Sequence, residues 1–224
     1  MTGRAFLILL AFIGVTLGVN AQGYYCDRQG ATLNYVRKKA KTGETEWRHI
    51  MNIKDVSKVA DGTHITSVST FLKANGKPLY KQDVIEQAIL DEKDNVQADM
   101  GLTVASYIKA RTGISASATG TLTMIPVDMQ PGDTLPPVVV NAKVGPLNYS
   151  VRIYDRKVVR KETISVPAGK FDCMVLEEKK IENGPGHNRQ VLNVSWYCKG
   201  TGYVRHDTYI KGVLDTSEIL FALN

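Results

Sequence analysis

Few residues in this sequence have the type and spacing to do chemistry. There are three cysteines, Cys26, Cys173 and Cys198. An odd number leaves one thiol over whatever pairing occurs. If residues 171–182 and 189–198 form a hairpin around 183–188, Cys173 and Cys198 lie equally far from its midpoint. Directly opposed residues on antiparallel strands are about 4.5–5.5 Å apart at Cα, a separation that a disulfide tolerates. The register therefore points to Cys173–Cys198 as a structural bridge. A bridge from Cys26 to either of them, or no bridge, are the other outcomes. Redox catalysis wants a CxxC or an activated thiol, and the sequence holds no CxxC.

The other reactive types are dispersed. His49, His64, His187 and His206 form no HxH or HExxH pattern, so no metal site is expected. Ser195 follows Val194 within an apolar alternation and lacks a Gly-x-Ser-x-Gly elbow. Glu177 and Glu178 are neighbours on an expected strand and must face opposite ways. One rim charge and one surface charge fit them better than an acid/base pair. No phosphate loop or dinucleotide fingerprint is present, and no cofactor is implied. A hydrolase would need a site gathered from distant residues, such as His206 or His187 with two carboxylates. Aromatics are the remaining lead. Trp47, Phe71, Tyr107, Phe171 and Trp196 could line an apolar concave face that holds a lipophilic ligand. Ordinary core packing is the plainer role for such residues.

These residues need a scaffold, and the chain reads as strands separated by turn signals. Segments 31–41, 45–59, 64–73 and 79–90 end at Thr42-Gly43, Asp61-Gly62, Asn75-Gly76 and Asp94-Asn95. Regular turn dipeptides suit long antiparallel strands in a meander. Residues 95–112 differ, because Met100, Val104, Tyr107, Ile108 and Arg111 recur at helical spacing. Asn95 or Asp99 could cap this helix and Gly113 could end it. Its covering stretch is centred on 98–111. Prolines at 126, 131, 136 and 137 exclude a central strand there, so this segment reads as a structured loop joining two halves of one domain. Strands follow at 138–143, 147–154, 157–166, 171–182, 189–198, 202–210 and 214–222, with Asp155-Arg156 as one of the turns. About eleven strands of this length should curl into an open or partial barrel. Short connections make every neighbour antiparallel. The fold class is thus mainly β, a long antiparallel meander with one covering helix.

The N-terminus bounds the compartment. Arg4 is followed by an apolar run to Val19, then by Val19-Asn20-Ala21. A basic start, a short apolar core and a small-x-small exit describe a secretory signal peptide, 1–21, leaving 22–224 as a single domain. Tyr24 and Tyr25 stand where lipoprotein processing at Cys26 would want small residues. No later stretch is long and apolar enough to span a bilayer. Removing Arg4 with the leader lowers the net charge from +6 to +5. Arg37-Lys38-Lys39 with Lys41 is the nearest thing to a basic cluster, and its alternation fits a solvated strand face. No nucleic-acid partner is implied.

The string Val166-Pro167-Ala168-Gly169-Lys170-Phe171-Asp172-Cys173 leads into Trp196-Tyr197-Cys198-Lys199-Gly200-Thr201-Gly202-Tyr203-Val204. Together they resemble a VPAGxFD … WYxxGxGxV pattern in exported proteins of Gram-negative bacteria, including the TapB-like domains and related families of unknown function. The resemblance covers most of 24–222. It implies an antiparallel sheet curled into a partial barrel and no established activity. The cysteines at 173 and 198 are not a feature it carries. The reading that follows is a non-catalytic periplasmic or secreted envelope module with an envelope protein as partner. A carrier or sensor of a lipophilic ligand is the alternative, and a hydrolase with a dispersed site is the third.

Overall fold

The computed structural model describes residues 22–224; the expected leader, 1–21, lies outside them. Strands β1 (Thr32–Lys39), β2 (Thr45–Val59), β3 (Gly62–Leu72), β4 (Val84–Leu90) and β5 (Val96–Asp99) precede the helix α1 (Met100–Thr112). Short strands β6 (Ser117–Gly120), β7 (Leu122–Ile125) and β8 (Thr134–Leu135) follow it. The second half holds β9 (Val138–Val144), β10 (Leu147–Val166), β11 (Gly169–Gly184), β12 (His187–Cys198), β13 (Gly202–Ile210) and β14 (Val213–Leu223).

All fourteen strands among the described residues join one antiparallel sheet, ordered β6-β9-β10-β11-β12-β13-β14-β1-β2-β3-β4-β5-β7, with β8 beside β10. It is a nearly closed barrel with one unsealed seam. The mainly β fold with a single covering helix is the architecture the turn spacing predicts. The two edges of the sheet, β6 and β7, are separated in sequence by Thr121 alone. The stretch 117–125 therefore straddles the seam. Its first half pairs with β9 (Thr119 opposite Asn141) and its second half with β5 (Met124 opposite Gln97).

Helix α1 covers the gap this leaves. Only Ala88–Leu90 of β4 pair with β5, so the N-terminal half of β4 lacks a strand on that side. The helix supplies a partner instead, as the Ile85 N–H donates to Ser106 Oγ at 2.7 Å. Asp99 caps the helix by accepting from the Leu102 N–H at 2.8 Å, and Gly113 ends it at φ +80°. Residues 95–99, included in the helical pattern by spacing, are strand β5 and its cap. Val96 there is buried against the sheet, so tertiary pairing overrides the local period.

Two further differences have clear causes. Asp155-Arg156 is a bulge inside the single 20-residue strand β10, not a turn. Tyr154 opposes Lys179 and Lys157 opposes Glu177, so two residues face Glu178 alone. The bulge turns Arg156 onto Glu178 (3.2 Å) while Asp155 meets Lys179 (2.9 Å). The strand count exceeds eleven because β5, β6, β7 and β8 have four residues or fewer, too short for a visible alternation.

One main core fills the barrel near the N-terminal segment. Tyr24, Cys26, Leu33, Ile53, Ile65, Leu90, Val96, Ile125, Met129, Val158, Leu176 and Leu220 belong to it. A smaller cluster joins Phe71, Val84 and Ala110 with Trp47, Tyr80 and Tyr107 under the helix. A third packs Met100 and Val104 of the helix on Val138, Val140 and Ile153.

Candidate functional site

The site begins with a change along the inward rows. On β1 the buried positions run Leu33, Tyr35, Arg37. On β3 they run Ile65, Ser67, Ser69, Phe71. On β14 Leu220 gives way to Glu218 and Thr216. Directly opposed residues of antiparallel strands share a face. Two polar rungs then cross the interior. One joins Ser195, His206, Glu218 and Arg37. The other joins Glu178, Asn193, Thr208 and Thr216.

An aromatic row lies beside them. Tyr35, His49 and Phe71 are opposed across β1, β2 and β3. Tyr203 stacks on Tyr35 (4.7 Å), Tyr35 on His49 (5.2 Å) and His49 on Phe71 (4.5 Å). Tyr107 of the helix meets Phe71 at 5.4 Å and ends the row. The helix thus contributes a ring to the interior as well as a cover for the seam.

Within this frame Ser69, His49 and Glu218 stand in the order of a serine hydrolase triad. His49 Nε2 is 2.9 Å from Ser69 Oγ, and His49 Nδ1 is 3.3 Å from Glu218 Oε1. A carboxylate only accepts, so Nδ1 carries a proton towards Glu218. Arg37 Nη1 approaches Glu218 Oε2 at 3.6 Å, and Arg37 Nε donates to Glu46 at 3.1 Å. Burial pushes the Glu218 carboxyl up, but the His49 hydrogen bond and the charges of His49, Arg37 and His206 outweigh it and hold it below the usual range. Burial pushes His206 down to about 4, with Lys180 and Arg37 adding to the shift against Glu218 and Asp207. Its Nδ1 lies 2.8 Å from Ser195 Oγ. Burial raises Glu86, whose hydrogen bond with Ser67 only partly offsets it.

The triad-like order lies inside the barrel. Ser69 is 0 % exposed and His49 4 %, with Phe71 stacked on the imidazole. The network does satisfy buried donors and acceptors that would otherwise be costly.

Sequence reasoning read Arg37 as part of a solvated basic face and His49 as one of four scattered histidines, and named neither Ser69 nor Glu218. Their signal was parity: each falls in the same alternating row as Leu33, Met51, Ile65 or Leu220. Arg37 is a correction to the solvated basic face, since it is 7 % exposed and ion-paired while Lys38 and Lys39 are exposed. Glu178 is likewise buried on Arg156.

The cysteine register is as the spacing predicts, with Cys173 directly opposite Cys198. The bridge is not formed; Cys26, Cys173 and Cys198 are all free. The two sulfurs point to different carbonyls, Cys173 Sγ to Phe171 O and Cys198 Sγ to Lys199 O, both at 3.6 Å. Burial pushes the Cys173 thiol up to about 12, helped by the neighbouring Cys198, which leaves it unreactive. The five aromatics named as ligand-lining fall into two groups. Trp47, Phe71 and Tyr107 share the cluster under the helix, and Phe171 and Trp196 belong to the main core. Trp196 Nε1 donates to Glu162 at 2.9 Å, and Arg205 lies 4.7 Å over its ring. Among the described residues no group of three or more His, Cys, Asp or Glu could hold a metal ion. No helix among them is long and apolar enough to cross a membrane.

A barrel of this form, covered by one helix and closed around a polar row, defines a class of folded module rather than a chemistry. The chain belongs to the DUF3108-like family, whose model matches residues 28–220. Two solved structures share the fold. One is an inferred exported protein with a YmcC-like fold from Bacteroides fragilis, 20% identical, with a TM-score of 0.73 over 91% of this chain and 99% of that one. The other is an inferred lipoprotein from Parabacteroides distasonis, 17% identical, with a TM-score of 0.74 over 92% of this chain and 100% of that one. The comparison with curated proteins finds no match. The family shown is the DUF3108-like one; the TapB-like domains in particular do not emerge.

Proposed function

We propose that this protein is a non-catalytic module of the cell envelope, exported with loss of residues 1–21, that works by binding. One observation carries the reading: the Ser69–His49–Glu218 arrangement is sealed inside the barrel, with Ser69 fully buried. The descriptions of the two structural neighbours, one exported and one a lipoprotein, support a place outside the cytoplasm. Cys26 is buried in the main core, which favours a free thiol over an acylated one.

The test is turnover by the purified exported protein on chromogenic acetate and butyrate esters and on a peptide amide. The expected result is no rate above that of the Ser69→Ala and His49→Gln variants. A rate lost in both variants, each still folded, would overturn the reading and establish the hydrolase. The mass of the exported chain checks cleavage after Ala21 at the same time.

A further inference from the structure

Four strands at one side of the seam carry a second constellation, on the exposed face. In β9 the pattern alternates, with Ala142 and Val144 buried and Asn141 and Lys143 exposed. The register extends that exposed face across the sheet. Ser117, Lys143 and Asn148 form one rung, and Thr119, Asn141, Ser150 and Asn183 form the next. These rungs line a concavity of about 660 Å³, within the size range of small-ligand sites. Its walls hold amides, hydroxyls, one tyrosine and one lysine beside Ala118, Ala142 and Gly184, and no carboxylate.

None of these seven side chains hydrogen-bonds to another described residue, so their donors and acceptors are uncommitted. The interior shows the opposite habit, with nearly every polar atom satisfied. An asparagine amide offers donors and an acceptor together, and a serine or threonine hydroxyl does the same. The complementary ligand carries groups that also donate and accept, which means hydroxyls. An anion would find only one cation, Lys143. Neighbouring strands lie about 4.8 Å apart, close to the span of one pyranose ring, so Asn141, Ser150 and Asn183 on successive strands can meet successive rings.

We infer that this groove binds a neutral, hydroxyl-rich chain, an oligosaccharide segment, held by Asn141, Asn183, Ser150 and Thr119 with Asn148 beside them. The inference rests on the reading of the protein as a binding module and names its ligand class.

The experiment is a titration of the exported protein with chitotetraose, cellotetraose and maltotetraose, followed by calorimetry or by amide chemical shifts. The sugar is recovered afterwards and weighed. Saturable binding of at least one sugar is expected, weakened at least about tenfold in the Asn141→Ala/Asn183→Ala variant as its hydrogen bonds are lost. The thermal midpoint of that variant should be unchanged, because both residues are exposed. Lys143→Ala should leave binding within about twofold, since a neutral sugar gains little from a surface charge. No binding of any of the three at about 10 mM, where a 1 mM site would be nine-tenths filled, would overturn the inference. Binding unchanged in the double variant would do the same. A shortened sugar would overturn the non-catalytic reading and leave the groove standing; an intact one leaves that reading in place whether or not binding is seen.

Discussion

Near the N-terminal segment, the inward positions of the strands are Leu33, Ile53, Ile65, Leu90, Val158 and Leu176, all nearly free of solvent. A few residues further along the same strands, the equivalent positions are Arg37, His49, Ser69, Glu86, Arg156 and Glu178. The first region gains stability from apolar area removed from water. The second buries charge, which stabilises little over an apolar substitute and is costly when half of it is removed. The two should therefore respond to mutation in different ways. At the apolar end each residue counts for itself; at the polar end the unit is the network.

The sharpest contrast comes from Glu218. Glu218→Ala leaves Arg37 and His49 buried without their shared carboxylate, and should cost about 3–5 kcal/mol by chemical denaturation. The double variant Arg37→Leu/Glu218→Met should recover most of that loss, because it removes both charges and keeps the volume. Equal losses in the single and double variants would break the comparison, since the polar end would then behave as ordinary core. Leu33→Ala is the counterpart at the apolar end. It should cost about 3 kcal/mol, as transfer and cavity terms for a buried leucine predict. Combined with Ala at Val140, which belongs to the separate cluster against α1, the losses should add.

Acid separates the two regions again. His206 is held near 4 in the folded protein against about 6.5 when unfolded. Between those values the unfolded chain binds more protons, so stability falls as pH drops from about 7 towards 4. Solvent reaches part of the ring, which keeps the expected loss to about 2 kcal/mol. Glu218 adds to it at lower pH, because its carboxyl is held below the usual range and its contribution is lost as it protonates. His206→Asn should flatten the pH profile between 7 and 4. Leu33→Ala should lower the whole profile without changing its slope. At the seam, Asp99→Ala removes the cap of α1 and should cost about 1 kcal/mol. Faster amide exchange confined to α1 would locate that loss.

This division explains how much was legible beforehand. The apolar rows and turn dipeptides are local signals, and they place β2 at Thr45–Val59 and β13 at Gly202–Ile210. Hairpin symmetry even fixes Cys173 opposite Cys198. Residue type narrows the helix caps to Asn95 or Asp99 at the start and Gly113 at the end, and the structure uses Asp99 and Gly113. The polar row was hidden because its members come from β1, β2, β3, β12, β13 and β14, and no spacing in sequence connects Ser69 with Glu218. A charged residue in a strand reads as surface by default, and only its parity with apolar neighbours argues otherwise. The bulge at Asp155 was hidden for a related reason. A residue pair that suits a turn also suits a bulge, and the long partner strand β11 decides between them.

The two glutamates of the polar end give the finest test, because the same burial moves them in opposite directions. Glu218 has His49, Arg37 and His206 close by, and these positive groups overcome its desolvation. Glu86 has the His49 charge and then the Ser67 hydroxyl in its favour, which do not offset its burial, while the Glu218 charge works against it. Its carboxyl is raised, so its ionised form costs stability at neutral pH. Stability should therefore rise as pH falls from the folded value of Glu86 to its unfolded value, against the trend set by His206. Glu86→Gln keeps an acceptor for Ser67 and removes the charge. It should raise the thermal midpoint at pH 7, and the gain should vanish at pH values where the unfolded carboxyl is itself protonated. A loss at pH 7 would mean that the Glu86 carboxylate is stabilised by its polar neighbours as Glu218 is, and the network would then extend as one charged unit from β14 to β4.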